Sequence, residues 1–199
     1  WRAAGSASGA GIMSSDYCVA VGYRAGYGLT TALDCTLIGR DAGVPITTGN
    51  SNTVVGGSSL TANISGGSNV VIGNSAAVNY TVSHIVAIGV QALNAQATGT
   101  LCTAVGYRAG FVATAAGGTF LGYSAGSGVT TGQNNTILGS SAGGTVDGSQ
   151  NVIVGRSATT AAANNYGVVI GDSASIAADS AVAIGQASSA ASANSIALG

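Results

Sequence analysis

A short apolar motif recurs along most of the chain: a β-branched residue, an apolar residue, an aliphatic residue and a glycine, then two variable residues and a small one. It reads Val19-Ala20-Val21-Gly22, Thr36-Leu37-Ile38-Gly39, Thr53-Val54-Val55-Gly56, Val70-Val71-Ile72-Gly73, Val86-Ala87-Ile88-Gly89 and Thr103-Ala104-Val105-Gly106. It continues as Thr119-Phe120-Leu121-Gly122, Thr136-Ile137-Leu138-Gly139, Val152-Ile153-Val154-Gly155, Val168-Val169-Ile170-Gly171, Val182-Ala183-Ile184-Gly185 and Ile196-Ala197-Leu198-Gly199. The glycines are spaced 17, 17, 17, 16, 17, 16, 17, 16, 16, 14 and 14 residues apart. A fixed period of this kind marks a repeat architecture in which each copy is one stacked unit.

Side chains alternate faces along a strand, so the aliphatic residue before each glycine shares a face with the β-branched residue two earlier. That face is uniformly of buried type. The residue between them ranges from Ala20, Ala87 and Ala183 to Leu37, Phe120 and Ile153, which suggests a second, looser face covered by the loop of its own coil. The glycine predicts a sharp corner or a close backbone approach. The small residue three later, such as Ala42, Ala76 or Ala142, fits a tightly packed return.

The pattern therefore predicts an all-β, parallel β-roll or β-solenoid of about twelve short coils. Residues 1–16 form a lead-in, 17–171 carry coils of 16–17 residues, and 172–199 carry coils of 14. Because Gly199 falls in the middle of a motif, the repeat is expected to continue beyond this segment. Eleven intervals at a strand spacing of roughly 4.8 Å give a rod about 53 Å long. A coil this thin has little interior. The stripe formed by Val21, Ile38, Val55, Ile72, Ile88, Val105, Leu121, Leu138, Val154, Ile170, Ile184 and Leu198 would be left uncovered on one chain, a patch that soluble monomers avoid. Three parallel chains sharing it along a common axis would bury it, so a homotrimer is expected.

Composition points the same way. Gly supplies 33 of 199 residues and Pro one; all five basic residues are Arg and all six acids are Asp. With Lys and Glu absent and Val, Ile, Thr, Ser and Asn abundant, helix is disfavoured and short strands with tight turns are favoured. A net charge of −1 offers no field for nucleic acid or an anionic membrane. At 46% hydrophobic residues, the chain is too apolar to be disordered. No apolar run approaches the roughly 18–20 residues that span a bilayer, and Trp1-Arg2-Ala3-Ala4-Gly5 lacks the layout of a signal peptide. Neither nucleic acid nor membrane insertion of this segment is expected.

Asp179-Ser180-Ala181-Val182-Ala183-Ile184-Gly185 and Ala193-Asn194-Ser195-Ile196-Ala197-Leu198-Gly199 resemble the YadA-like head repeat of trimeric autotransporter adhesins. The longer copies, such as Gly132-Gln133-Asn134-Asn135-Thr136-Ile137-Leu138-Gly139 and Thr103-Ala104-Val105-Gly106-Tyr107-Arg108-Ala109-Gly110, are similar to repeats in tail fibres of phages and surface fibres of large viruses. The resemblance covers residues 17–199. It implies a left-handed parallel β-roll in which three chains share a core, located on a virion or cell surface, with a host-surface glycan or protein as receptor. The added residues in the longer coils depart from the adhesin repeat, and no coiled-coil stalk or anchor barrel lies within this sequence.

Candidate chemistry is sparse. A His-dependent triad would have to be built around His84, the only histidine, which precedes Ile85-Val86-Ala87-Ile88-Gly89 and reads as a solvated loop residue. The scattered Asp16, Asp34, Asp41, Asp147, Asp172 and Asp179 suggest no carboxylate pair. No glycine motif has the layout of a phosphate loop. The expectation is a non-enzymatic chain without cofactor or metal. Cys18, Cys35 and Cys102 occupy one column, four before the glycine, where other copies hold Asn52, Asn69, Asn135 and Asn151. Packed thiols that merely interrupt a polar Asn ladder are expected there, since adjacent-coil spacing suits disulfide geometry only marginally. Arg24 and Asp41 stack in consecutive coils and can pair.

Tyr107, Arg108 and Tyr123 form a candidate surface contact for a sugar or a protein, although an aromatic ladder that merely supports neighbouring rungs explains them as well. Asn63-Ile64-Ser65, Asn79-Tyr80-Thr81 and Asn134-Asn135-Thr136 fit the N-glycosylation triplet. The rival readings are a bacterial adhesin head of the same fold and, from another class, a single-chain ice- or glycan-binding solenoid.

Overall fold

The computed structural model describes residues 3–4, 17–94, 99–114, 116–144, 146–161 and 163–199. Its strands are β1 (Ala3–Ala4), β2 (Val19–Val21), β3 (Thr36–Ile38), β4 (Thr53–Val55), β5 (Val70–Ile72), β6 (Val86–Ile88), β7 (Thr103–Val105) and β8 (Thr119–Leu121). They continue as β9 (Thr136–Leu138), β10 (Val152–Val154), β11 (Thr159–Thr160), β12 (Val168–Ile170), β13 (Ser175–Ile176), β14 (Val182–Ile184), β15 (Ser189–Ala190) and β16 (Ile196–Leu198). There is no helix among the described residues.

Each motif copy forms one strand, and successive copies pair in parallel and in register, Val19 against Thr36, Thr36 against Thr53 and Thr53 against Val70. The result is one 13-stranded parallel sheet, with a second, 3-stranded sheet of β11, β13 and β15. The predicted parallel β-solenoid is borne out. β1 pairs with β2 through Ala3 and Ala4, so the sheet reaches into the stretch read as a lead-in. The second sheet begins at Thr159, one coil before the period shortens to 14.

The repeat glycine is required twice over. Its φ lies between 122° and 146° in every copy from Gly22 to Gly185, where side chains are rarely tolerated. A Cβ on Gly89 would also sit 2.4 Å from the carbonyl oxygen of Gly106, and one on Gly73 2.4 Å from that of Gly89. Coils can stack at sheet spacing along this corner only because no side chain stands between them.

All the described non-glycine residues with positive φ fall into three columns. Five residues before the glycine stand Tyr17, Asp34, Ser51, His84 and their equivalents; two after it stand Arg24, Asp41, Ser58, Arg108 and theirs; four after it stand Leu60, Ala77 and Leu93. In the third column Gly26, Gly43, Gly110, Gly126 and Gly143 hold the same left-handed conformation. Neighbouring coils hold these corners through backbone bonds, for example Asp41 N–H to Tyr23 O (2.8 Å) and Ser51 N–H to Leu33 O (2.8 Å).

The core is the middle position of each strand. Leu37, Val54, Val71, Ala87, Ala104, Ile137, Ile153, Val169 and Ala183 are fully buried within the single chain. The face read as looser is therefore the tight one, because the loop of the same coil closes over it. Volume is exchanged between columns: Ala87 shares its coil with Leu93 and Val54 with Leu60, whereas Leu37 and Phe120 share theirs with Gly43 and Gly126. Phe120 takes the largest share. Its ring fills the space where Cβ atoms on Gly110, Gly118 and Gly126 would stand, at 2.7, 2.4 and 2.2 Å from ring atoms. The small residue three after the glycine, from Ala25 to Ser188, is buried throughout.

Candidate interaction surfaces

The strand faces alternate as predicted, which leaves one face of the long sheet pointing away from the chain's own core. The whole aliphatic stripe from Val21 to Leu198 lies there. Val21 is 47% exposed, Leu121 44% and Ile184 40%, while Val55, Ile88, Val105 and Val154 are partly covered. The stripe is continuous because the register never slips from β2 to β16. The single chain leaves it uncovered over the length of the rod.

Behind the stripe, the column four before the glycine is buried and polar at Asn52, Asn69, Asn135 and Asn151. Asn69 Nδ2 donates to Asn52 Oδ1 (2.9 Å), and Asn151 Nδ2 to Asn135 Oδ1 (3.1 Å). Each amide oxygen also accepts the backbone N–H of the next coil, as Asn151 Oδ1 does from Gly167 (2.8 Å). Each amide nitrogen ties down a loop carbonyl, as Asn52 Nδ2 does at Gly49 (3.0 Å) and Gly66 (2.9 Å). The predicted ladder is present, but Cys18 and Cys35 continue its hydrogen bonding instead of interrupting it. Cys35 N–H donates to Cys18 Sγ (3.3 Å) and Cys35 Sγ–H to Gly49 O (3.3 Å). All three cysteines are thiols. Burial pushes the Cys35 thiol up to about 11 and raises Cys102 too.

The two borders of the exposed face, five residues before each repeat glycine and just after it, carry most of the described charged side chains and several aromatic ones. Tyr107 and Tyr123 stack with ring centroids 5.3 Å apart at 17°, and Arg108 lies 4.1 Å over the Phe111 ring. Arg24 meets Asp41 at 3.6 Å, as their spacing predicted, and Arg40 adds a 3.8 Å contact to the same carboxylate. The sequence reading missed a second pair, Arg156 with Asp172 at 2.7 Å. Its signal was available: both residues directly follow their repeat glycines in adjacent coils.

His84 stands exposed in a left-handed corner. Among the described residues, no three His, Cys, Asp or Glu side chains are grouped so as to hold a metal, and no helix is long and apolar enough to cross a membrane. Of the glycosylation triplets, Asn63 is fully buried, with its Nδ2 donating to Val82 O (2.8 Å), whereas Asn79 and Asn134 are exposed. Asp16 lies outside the described residues.

The fold and these surfaces define a β-solenoid repeat protein. No protein-family model matches the sequence, and no curated protein matches it.

Proposed function

We propose that this chain is a segment of a homotrimeric, non-enzymatic attachment fibre exposed on a virion or cell surface, three copies packing their aliphatic stripes around a common axis. The observation that carries the reading is the uncovered stripe itself. An unbroken column of Val, Ile and Leu runs the length of the rod, outside the chain's own core and without polar interruption. Burying such surface is worth roughly 25 cal/mol per Å², so copies that share it gain at every rung. The resemblance to adhesin-head and viral-fibre repeats supports the same arrangement.

The role that follows is mechanical. Backbone hydrogen bonds run from coil to coil along the rod and stiffen it. Threefold symmetry presents each outward loop three times, which multiplies weak contacts with a glycan or protein on a host surface. Light scattering on the purified segment, with and without boiling in detergent, tests the assembly. The expected result is a mass of three chains that persists until boiling. A stable monomer would overturn the reading in favour of a single-chain binding solenoid.

A further inference from the structure

Resting on the trimer reading above, we infer that the two borders of the exposed sheet face form the seam between neighbouring chains, and that Asp34 of one chain pairs with Arg40 of the next. One border is the left-handed column five before the glycine; the other is the pair of residues just after it. Three flat faces turned towards a common axis meet edge to edge, the first border of each chain against the second border of its neighbour. Closed rotational symmetry involves no shift along the axis. Residues of the same coil therefore face each other.

Charge selects the coil of Asp34 and Arg40. Asp34 is exposed and its carboxylate has no hydrogen bond or ion pair among the described residues. Across the strand, Arg24, Asp41 and Arg40 form a cluster held by contacts of 3.6 and 3.8 Å, with two positive charges against one negative. That cluster carries a net +1 opposite a lone −1. The two borders are separated by the three residues of β3 and the Gly39 corner, and among the described residues Arg40 pairs with Asp41 rather than with Asp34 of its own chain. Shape agrees in other coils. Leu101, 65% exposed, falls opposite Tyr107, and Gly117, which has no side chain, falls opposite the bulky Tyr123.

Area makes the same demand. A stripe about 53 Å long and one three-residue strand wide offers roughly 500 Å², less than the roughly 800 Å² per partner that a stable interface buries. The borders supply the remainder. This places Tyr107 in the seam between chains and leaves receptor contact to the loops on the far side of the rod.

The test is a cross-link. In a chain whose native cysteines are changed to Ser, Asp34→Cys with Arg40→Cys is treated with oxidised glutathione, which takes up the two electrons released as each pair of thiols closes to a disulfide. The expected product on a denaturing, non-reducing gel is a covalent species of three chains that returns to one chain on reduction, while either cysteine alone leaves no such species. A threefold mass by light scattering with only single chains on the gel would overturn the seam and leave the trimer standing; a single-chain mass would overturn both. Charge exchange provides a second measure. Asp34→Arg and Arg40→Asp should each lower the denaturant concentration at which the trimer dissociates, and the double exchange should restore it. A double variant no better than the single ones would sink the pairing.

Discussion

Asn69 donates its side-chain amide to Asn52 Oδ1 at 2.9 Å, with both residues fully buried one coil apart. That oxygen also accepts the backbone N–H of Asn69 (3.2 Å), and the Asn52 amide holds the carbonyls of Gly49 and Gly66. One side chain thus satisfies the inward polar groups of two coils.

Asn52→Ala should therefore cost more than a typical core truncation of its size. It strands several buried polar groups, each worth about 1–3 kcal/mol when left unpaired. We expect a loss of roughly 3 kcal/mol, read as a lower midpoint in urea denaturation. Cys35→Asn should be neutral or stabilising, because an amide there meets Asn52 as Asn52 meets Asn69.

Glycines of the corner column should tolerate nothing larger. Gly89→Ala places a methyl 2.4 Å from Gly106 O in a residue with φ of 133°. Backbone strain of about 1–3 kcal/mol and a displaced coil follow. Gly144→Ala has open space and an ordinary φ, so its melting temperature should match the parent or slightly exceed it.

Face should decide outcome along a single strand. Val71→Asp buries a carboxylate in the core and should abolish folding, seen as loss of the β-sheet circular dichroism. Ile72→Asp sits 38% exposed on the stripe and should leave the chain folded with unchanged dichroism. On the trimer reading its mass by light scattering drops from three chains to one.

Alkaline pH should destabilise the fold through buried acids. The Cys35 thiol is raised from 9.0 to about 11 by burial, and burial raises Tyr80, whose hydroxyl donates to Ala113 O (2.8 Å), and Cys102 in the same sense. Each such group stabilises the fold fully below its unfolded value, and that contribution is lost as pH rises towards the folded one. Denaturation midpoints should hold steady up to about pH 9 and fall between there and pH 11. A midpoint that stays flat through that window would contradict the assignment. Cys35→Asn should flatten part of the decline.

Strands, period and corners were legible because the glycine, the residue before it and the small residue after it answer to backbone geometry, which repeats in every coil. Core volume was not. The middle strand residue varies from Ala87 to Phe120, and that variation reads as slack until the loop is seen to compensate, with Leu93 in one coil and Gly126 in another. Tyr80 is a further case. It is fully buried and anchors on a carbonyl two coils away, a distance that no single-coil pattern encodes. The left-handed columns were hidden as well, since residues as different as Tyr17, His84 and Leu101 occupy them, and stacking rather than side-chain preference holds them there.

Those columns have a kinetic consequence. Left-handed backbone costs a residue other than glycine roughly 1–2 kcal/mol, and each coil contains two or three such residues, except the one between Gly106 and Gly122, where Arg108 is joined by Gly117. One coil alone is uphill, and a second recovers the deficit only through the bonds between them. The stack then behaves as a one-dimensional polymer with a costly nucleus and favourable growth steps. Shortening it should lower stability by equal increments until the nucleus is no longer offset, whereupon the remaining coils unravel together.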